Sequence, residues 1–269
     1  MNANIYRHEF RTKLKSVLIW SLALLFLIVF YFAMFPVFAD QTALMNEALS
    51  RYPAELREAF GLDKTDLSTV LGFYSFIFLF CQLCLAIQSS NYGFGLVSVE
   101  ENELTADFLL SKPVSRTQVL TSKLLAALTS LTITNLVVWA SSFAAITLFR
   151  EEREYEAGTL VMLLLTILIF QLFFLSVGLV ISLLVKRVRS VTPYGLGLGF
   201  GLYVLNGFSG IFGDIKLELI TPFKHIDATY IITNKAYDVP LLVLNLLITL
   251  IALAASYWLY NRRDIPAVS

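Results

Sequence analysis

The sequence predicts an all-α, polytopic membrane protein with six transmembrane helices, and three observations support this prediction. Of the 269 residues, 57% are hydrophobic and only 15% are charged, whereas soluble domains carry about 25% charged residues. The mean hydropathy is +0.73. The apolar residues form six blocks long enough to cross a bilayer, which requires about 20 residues of helix. These observations argue against a water-soluble enzyme.

The six predicted spans form a single transmembrane domain over residues 1–269. The spans cover residues 17–35, 67–87, 124–149, 160–185, 191–212 and 239–260. An even number of spans places both termini on the same side. If that side is cytoplasmic, it holds twelve of the twenty Lys and Arg residues, which agrees with the positive-inside rule. The first apolar run is longer than the 7–15 residues of the hydrophobic region in a secretory signal peptide, so we expect it to be a retained span.

Four segments outside the spans also carry predictions. Within residues 1–16, Tyr6, Phe10 and Leu14 repeat every four residues among basic side chains, which predicts an amphipathic interfacial helix that precedes a turn into the membrane. Outer loops are expected at residues 38–66 and 213–238. The segment at residues 97–117 between the second and third spans is predicted to lie in the cytoplasm.

The predicted span cores contain no ionisable residue, since Lys123 is placed at the cytoplasmic end of its span. Buried charges in a membrane usually mark ion or proton pathways, so proton coupling is disfavoured. The remaining polar residues suit hydrogen bonds between helices and alternatively line a substrate path: Gln82, Asn135, Gln171, Asn206 and Asn245.

Several short motifs favour packing over chemistry. Cys81 and Cys84 have the spacing of redox or zinc motifs but lie within a span without a second ligand pair. Histidines 8 and 225 fall on opposite sides of the predicted topology, so no metal site is expected. Alternating glycines in the fifth span predict close helix packing, and these are Gly195, Gly197, Gly199 and Gly201.

The cytoplasmic segment is the most informative part of the sequence. Acidic residues from Glu100 to Asp107 precede the apolar side chains of residues 108–110, and Pro113 then interrupts the helix. Ser115 is placed to cap the helix that follows. The pattern alone fits an amphipathic helix lying at the inner membrane interface.

At these residues the sequence resembles the permease subunits of ABC type-2 exporters with the type V exporter fold. The family pattern is an acidic stretch, Gly-Thr, a Leu-Leu-Ser run, Pro-Val-Ser-Arg and a downstream lysine, and Leu104 replaces the usual glycine. The matching residues are Glu103, Thr105, Asp107, Leu109, Leu110, Ser111, Pro113, Val114, Ser115, Arg116 and Lys123. The similarity extends to the N-terminal helix, the six spans and an outer segment at residues 221–224.

The resemblance implies a protein that transports but is not itself an enzyme. The segment would be a coupling helix seated on a separate ABC ATPase, two copies of which would bind ATP and Mg²⁺, and no cofactor is expected in this chain. Phe108 would join the matching residues 103–116 in that contact. A second permease, the same chain or a related one, would complete the path in a bacterial cytoplasmic membrane.

The sequence leaves the substrate and the energy source open. The uncharged spans favour an amphipathic peptide, a lipid-like compound or a hydrophobic drug as cargo. The alternatives to ATP-driven export are a gradient-driven secondary transporter or channel, and a membrane anchor or sensor that transports nothing.

Overall fold

The computed structural model describes residues 2–41, 51–53, 66–102, 114–185, 188–208 and 217–263. Helices account for 85% of this part of the chain, and it contains no strand. The described residues form one 3-10 helix, Leu217–Leu219, and nine α-helices. The α-helices are α1 Ala3–Phe32, α2 Phe35–Asp40, α3 Val70–Asn102, α4 Arg116–Phe149, α5 Ala157–Leu184, α6 Val191–Phe208, α7 Pro222–His225, α8 Ala228–Asn234 and α9 Val239–Arg262.

In the part of the chain that the structure describes, five segments are long and apolar enough to cross a membrane, so the chain is a multi-pass membrane protein. They are Ala3–Asp40, Val70–Ser98, Arg116–Phe149, Ala157–Leu184 and Val239–Arg262. The remaining predicted span, 191–212, contains α6, which has 18 residues. A helix of that length rises about 27 Å, slightly less than the hydrocarbon thickness of about 30 Å. Its glycines, Pro193 and Asn206 also lower its hydropathy.

The first helix differs from the expected interfacial helix followed by a turn. It continues from Ala3 to Phe32 without a break, because neither glycine nor proline occurs between residues 4 and 32. Asn2 caps it by accepting hydrogen bonds from the backbone N–H groups of residues 4 and 5. The chain bends only at residues 33–34, directly before α2, which has Pro36 in its first turn.

Two helices are much longer than the spans predicted for them. Helix α3 has 33 residues and continues to Asn102, fifteen residues beyond the predicted end at residue 87. Helix α4 has 34 residues and begins eight residues before the predicted start at residue 124. The cap predicted at Ser115 is confirmed, because its hydroxyl accepts from the N–H of Gln118, whose side chain bonds back to Ser115 N–H.

The six long helices run in alternating directions. Helix α3 packs on α5 and α6, α1 packs along α4, and α9 packs on α5. Both ends of the described chain lie at one end of the bundle, because Asn2 N–H donates to Ser122 Oγ at 2.7 Å and Arg116 donates to the carbonyl of Arg263. We call this end, where α3 ends and α4 begins, the α3–α4 end, and the opposite one the far end.

Candidate functional site

The α3–α4 end carries the segment that the sequence singled out. Residues 103–113, which include the predicted contact residues from Glu103 to Pro113, lie outside the described residues. The roles predicted for them therefore stay predictions. Val114, Ser115 and Arg116 are described, and they form the start of α4.

Arg116 binds within the chain at this end. Its Nη1 donates to the backbone carbonyls of Tyr260 at 3.1 Å and Asn261 at 3.3 Å, and also to that of Arg263. The last carbonyls of a helix lack partners inside the helix, and cations are favourable there. Arg116 thus caps the end of α9, whereas the resemblance placed it among the residues that contact the ATPase.

Arg263 makes the equivalent connection to α5. Its guanidinium donates to three carbonyls at the end of that helix, those of Ser182, Leu183 and Val185. The start of α4, the end of α9 and the end of α5 are therefore linked through two arginines. Sequence reasoning missed Arg263, which looked like one more basic residue flanking a span.

Lys123 connects three helices near the same end. It is only 2% exposed, its Nζ donates to the carbonyl of Leu96 in α3 at 2.6 Å, and Glu9 Oε1 of α1 lies 3.5 Å from that Nζ. The other oxygen of Glu9 accepts from Lys13 at 2.6 Å. The sequence placed Lys123 at the end of its predicted span. Because α4 begins earlier than that span, Lys123 lies inside the helix and is buried near the α3–α4 end.

The sequence analysis also did not predict the role of Glu9, although the sequence contains a feature that indicates it. It is the single acidic residue between positions 2 and 15, and a lone acid among basic residues on a helix is a candidate for an inward ion pair.

The five predicted polar residues of the interior do not converge on one site. Asn135 Nδ2 donates to Gln171 Oε1 at 2.8 Å, between α4 and α5. Gln82 Nε2 donates to the carbonyl of Ile226 at 2.9 Å, and Asn245 Nδ2 lies 3.3 Å from His225 Nδ1. Asn206 is buried near the end of α6. All five are covered by the chain itself, which is the arrangement expected for hydrogen bonds between helices.

A folded segment between α6 and α9 packs against the middle of α5. Phe223 of α7 contacts the aromatic rings of Phe170, Phe174 and Tyr203 at centroid distances of 5.1–5.9 Å. The buried hydroxyl of Thr221 donates to a carbonyl of α6. Burial lowers the pKa of His225. The segment is therefore held to α5 and α6 by an aromatic cluster.

The four alternating glycines of α6 divide into two pairs. A Cβ on Gly195 would lie 2.1 Å from Asn91 Oδ1, and one on Gly199 would lie 3.0 Å from a side-chain carbon of Ile87. These contacts permit the close approach of α6 to α3. By contrast, no described atom lies within 4 Å of the corresponding positions on Gly197 and Gly201, so the packing predicted for them finds no partner in the described chain.

A second close approach, between the backbones of α3 and α5, was not predicted. A Cβ on Gly93 would lie 2.3 Å from the carbonyl oxygen of Leu175. On the facing helix, a Cβ on Gly178 would lie 3.2 Å from the carbonyl oxygen of Ser90. Single glycines gave no periodic pattern by which sequence reasoning could have found them.

Comparison with known families identifies the family of the chain. Residues 3–265 match the family described as ABC-2 family transporter protein. The chain belongs to this family. Neither the curated proteins nor the solved structures contain a match to it. The resemblance seen at residues 103–123 is thereby confirmed at the level of the family. As an ABC-2 protein, the chain is a membrane component of a kind that associates with an ABC ATPase.

Proposed function

We propose that this ABC-2 protein is the permease subunit of an ATP-driven exporter. It forms half of the translocation path, and a second permease, a copy or a relative, supplies the other half. Two copies of a separate ABC ATPase bind ATP and Mg²⁺, and residues 97–117 couple them to the permease. The assembly is a multi-pass complex of a bacterial cytoplasmic membrane with both termini and the α3–α4 end in the cytoplasm.

One observation carries this proposal: the two longest helices flank the predicted coupling segment. With 33 and 34 residues, α3 and α4 are each about 50 Å long at 1.5 Å per residue. The hydrocarbon core is only about 30 Å thick. Both helices can therefore project beyond the membrane at the end where they are joined, which supports a connection within reach of a soluble partner.

The proposed energy source is ATP hydrolysis by a partner subunit, because the sequence has no nucleotide-binding motif of its own. It has no Gly-x-x-x-x-Gly-Lys-Ser/Thr motif that would cradle the phosphates of ATP, so the simplest source is a partner subunit. The ion pair of Glu9 and Lys123 does not favour a proton relay, because it joins helices close to one end of the bundle. The alternatives are a gradient-driven transporter or channel and a membrane anchor or sensor that transports nothing.

The decisive experiment changes the apolar residues of the coupling segment. We expect Leu109→Asp or Phe108→Asp to preserve membrane insertion but to release the ATPase, because a carboxylate in an apolar contact is costly. Co-purification from membranes measures this. Leu219→Asp is the matched control, since Leu219 is exposed, lies outside the coupling segment and should leave association unchanged.

Two outcomes would contradict the proposal. Equal ATPase association and transport in wild type and Leu109→Asp would mean that the segment only lies on the membrane. Transport into vesicles that continues without nucleotide would favour the gradient-driven alternative, and a permease that never retains an ATPase or a substrate would favour the anchor.

The proposed cargo is an amphipathic peptide, a lipid-like compound or a hydrophobic drug. Much of the membrane-facing surface consists of exposed Leu, Phe and Ile side chains, which suits a path for apolar molecules between two permeases. Stimulation of ATP hydrolysis by a panel of peptides, lipids, drugs and sugar chains tests this. Selective stimulation by a polar sugar chain would contradict it.

A further inference from the structure

The exposed face of α1 is basic near its start and apolar further along the helix. Arg7, Arg11 and Lys15 are all exposed, and their spacing of four residues places them on one face of the helix. They extend over about 12 Å of helix axis. The same face continues toward the far end with the exposed apolar side chains of Leu18, Leu22 and Phe26, the last of which is 66% exposed. We call the three basic residues the cationic stripe.

The stripe carries positive charge alone. Glu9, the single acid in this part of the helix, is turned inward to Lys13 and Lys123. In the described part of the chain, no acidic side chain pairs with a residue of the stripe. The inward ion pair also sets the rotation of α1 about its axis, because Glu9 contacts α4 while the stripe faces away from it.

We propose that the cationic stripe binds the headgroups of anionic phospholipids. Exposed apolar residues on the same face place the rest of the helix against lipid chains, so the stripe lies at the level of the phosphates. A Lys or Arg near an anionic membrane surface raises affinity about fivefold, and three together raise it about 100-fold at low salt. The attraction decreases as salt shortens the screening distance.

Lipid binding to the purified, delipidated full chain tests the proposal. Native mass spectrometry compares the affinity for phosphatidylglycerol with that for phosphatidylcholine of the same acyl chains. We expect wild type to prefer phosphatidylglycerol and the variant Arg7→Gln, Arg11→Gln, Lys15→Gln to lose that preference about 100-fold. Affinity for phosphatidylcholine should stay constant, which confirms that the variant is folded.

Two further variants separate the stripe from general charge effects. The matched control removes three cations from the far end, Arg150, Lys224 and Lys235, and should retain the wild-type preference. The variant Arg7→Lys, Arg11→Lys keeps the charge and should also retain it. If the triple variant is poorly folded, Lys15→Gln alone should lower the preference about fivefold.

Three results would overturn the proposal. The first is an unchanged preference in the glutamine variant, and the second is an equal loss in the far-end control. The third is a glutamine variant that keeps its lipid preference but no longer retains the ATPase, which would make the stripe a protein contact. Since the lipid measurement involves neither ATP nor transport, it can fail while the proposed function stands, and the reverse also holds.

Discussion

Removing the charge of Glu9 should destabilise the bundle more than its position near the N-terminus suggests. The substitution Glu9→Gln leaves the ammonium of Lys123, which is 2% exposed, without the carboxylate that lies 3.5 Å away. At an effective dielectric constant of 20, two charges at that distance attract by about 5 kcal/mol. Because Glu9 itself is partly exposed and water screens some of this, we expect a pairwise coupling of about 2–4 kcal/mol.

A double-mutant cycle isolates this coupling from other effects. The free energy of unfolding is measured by titration with a denaturing detergent for wild type, Glu9→Gln, Lys123→Met and the double variant. The double variant should be less destabilised than the sum of the two single variants. Glu156→Gln is the matched control, because Glu156 pairs with Lys235 at 2.6 Å on the surface, where ion pairs contribute little.

Two results would refute the reasoning. The first is a coupling energy below about 0.5 kcal/mol, which is the range expected for independent sites. The second is a loss in Glu9→Gln no larger than that in Glu156→Gln. Either would mean that the contact of α1 with α4 depends on apolar packing rather than on the ion pair.

Three further predictions concern other parts of the molecule. Gly195→Leu should separate α6 from α3 and lower the thermal midpoint by several degrees through overpacking, whereas Gly197→Leu should leave the midpoint unchanged; equal effects would contradict the described packing. Arg263→Ala should cost about 1–3 kcal/mol in unfolding free energy and increase amide exchange at the ends of α5 and α9; unchanged exchange would contradict its capping role. Because burial lowers the pKa of His225, the folded state favours the neutral ring, so stability should be full above about pH 6.5 and decrease as pH falls below it. The variant His225→Gln should lack that decrease, and a wild-type profile that stays flat from pH 7.5 to 5 would contradict it.

The helical fold could be predicted from composition because the membrane imposes one requirement on every span. Each must bury its backbone hydrogen bonds within an apolar helix of about 20 residues. Helix ends were harder to predict, since hydropathy reports the apolar stretch rather than the helix. Helix α3 continues through Gln88, Ser89 and Ser90 to Asn102. Gln88 donates to Thr134 of α4, and Ser89 donates to the carbonyl of Leu85 in its own helix, so polar residues inside the bundle do not end the helix.

The candidate site could be predicted in part. The start of α4 at Ser115 and Arg116 followed from local rules about proline and capping residues. The partners of Arg116 did not, because they are backbone carbonyls about 145 residues away in the sequence. Similarly, the pairing of Glu9 with Lys123 depends on α1 lying along α4, and no single-sequence pattern reports which helices are neighbours.

These connections give the proposed function a mechanical consequence. Lys123 ties the start of α4 to α1 and α3, and Arg116 ties the same region to α9. Arg263 then ties the end of α9 to α5. If an ATPase displaces the segment between α3 and α4, five helix ends must move together or break hydrogen bonds to charged groups, each of which contributes about 1.5–3 kcal/mol. Movement as one unit is the less costly path, so motion applied at the α3–α4 end would pass into the whole bundle rather than into α4 alone.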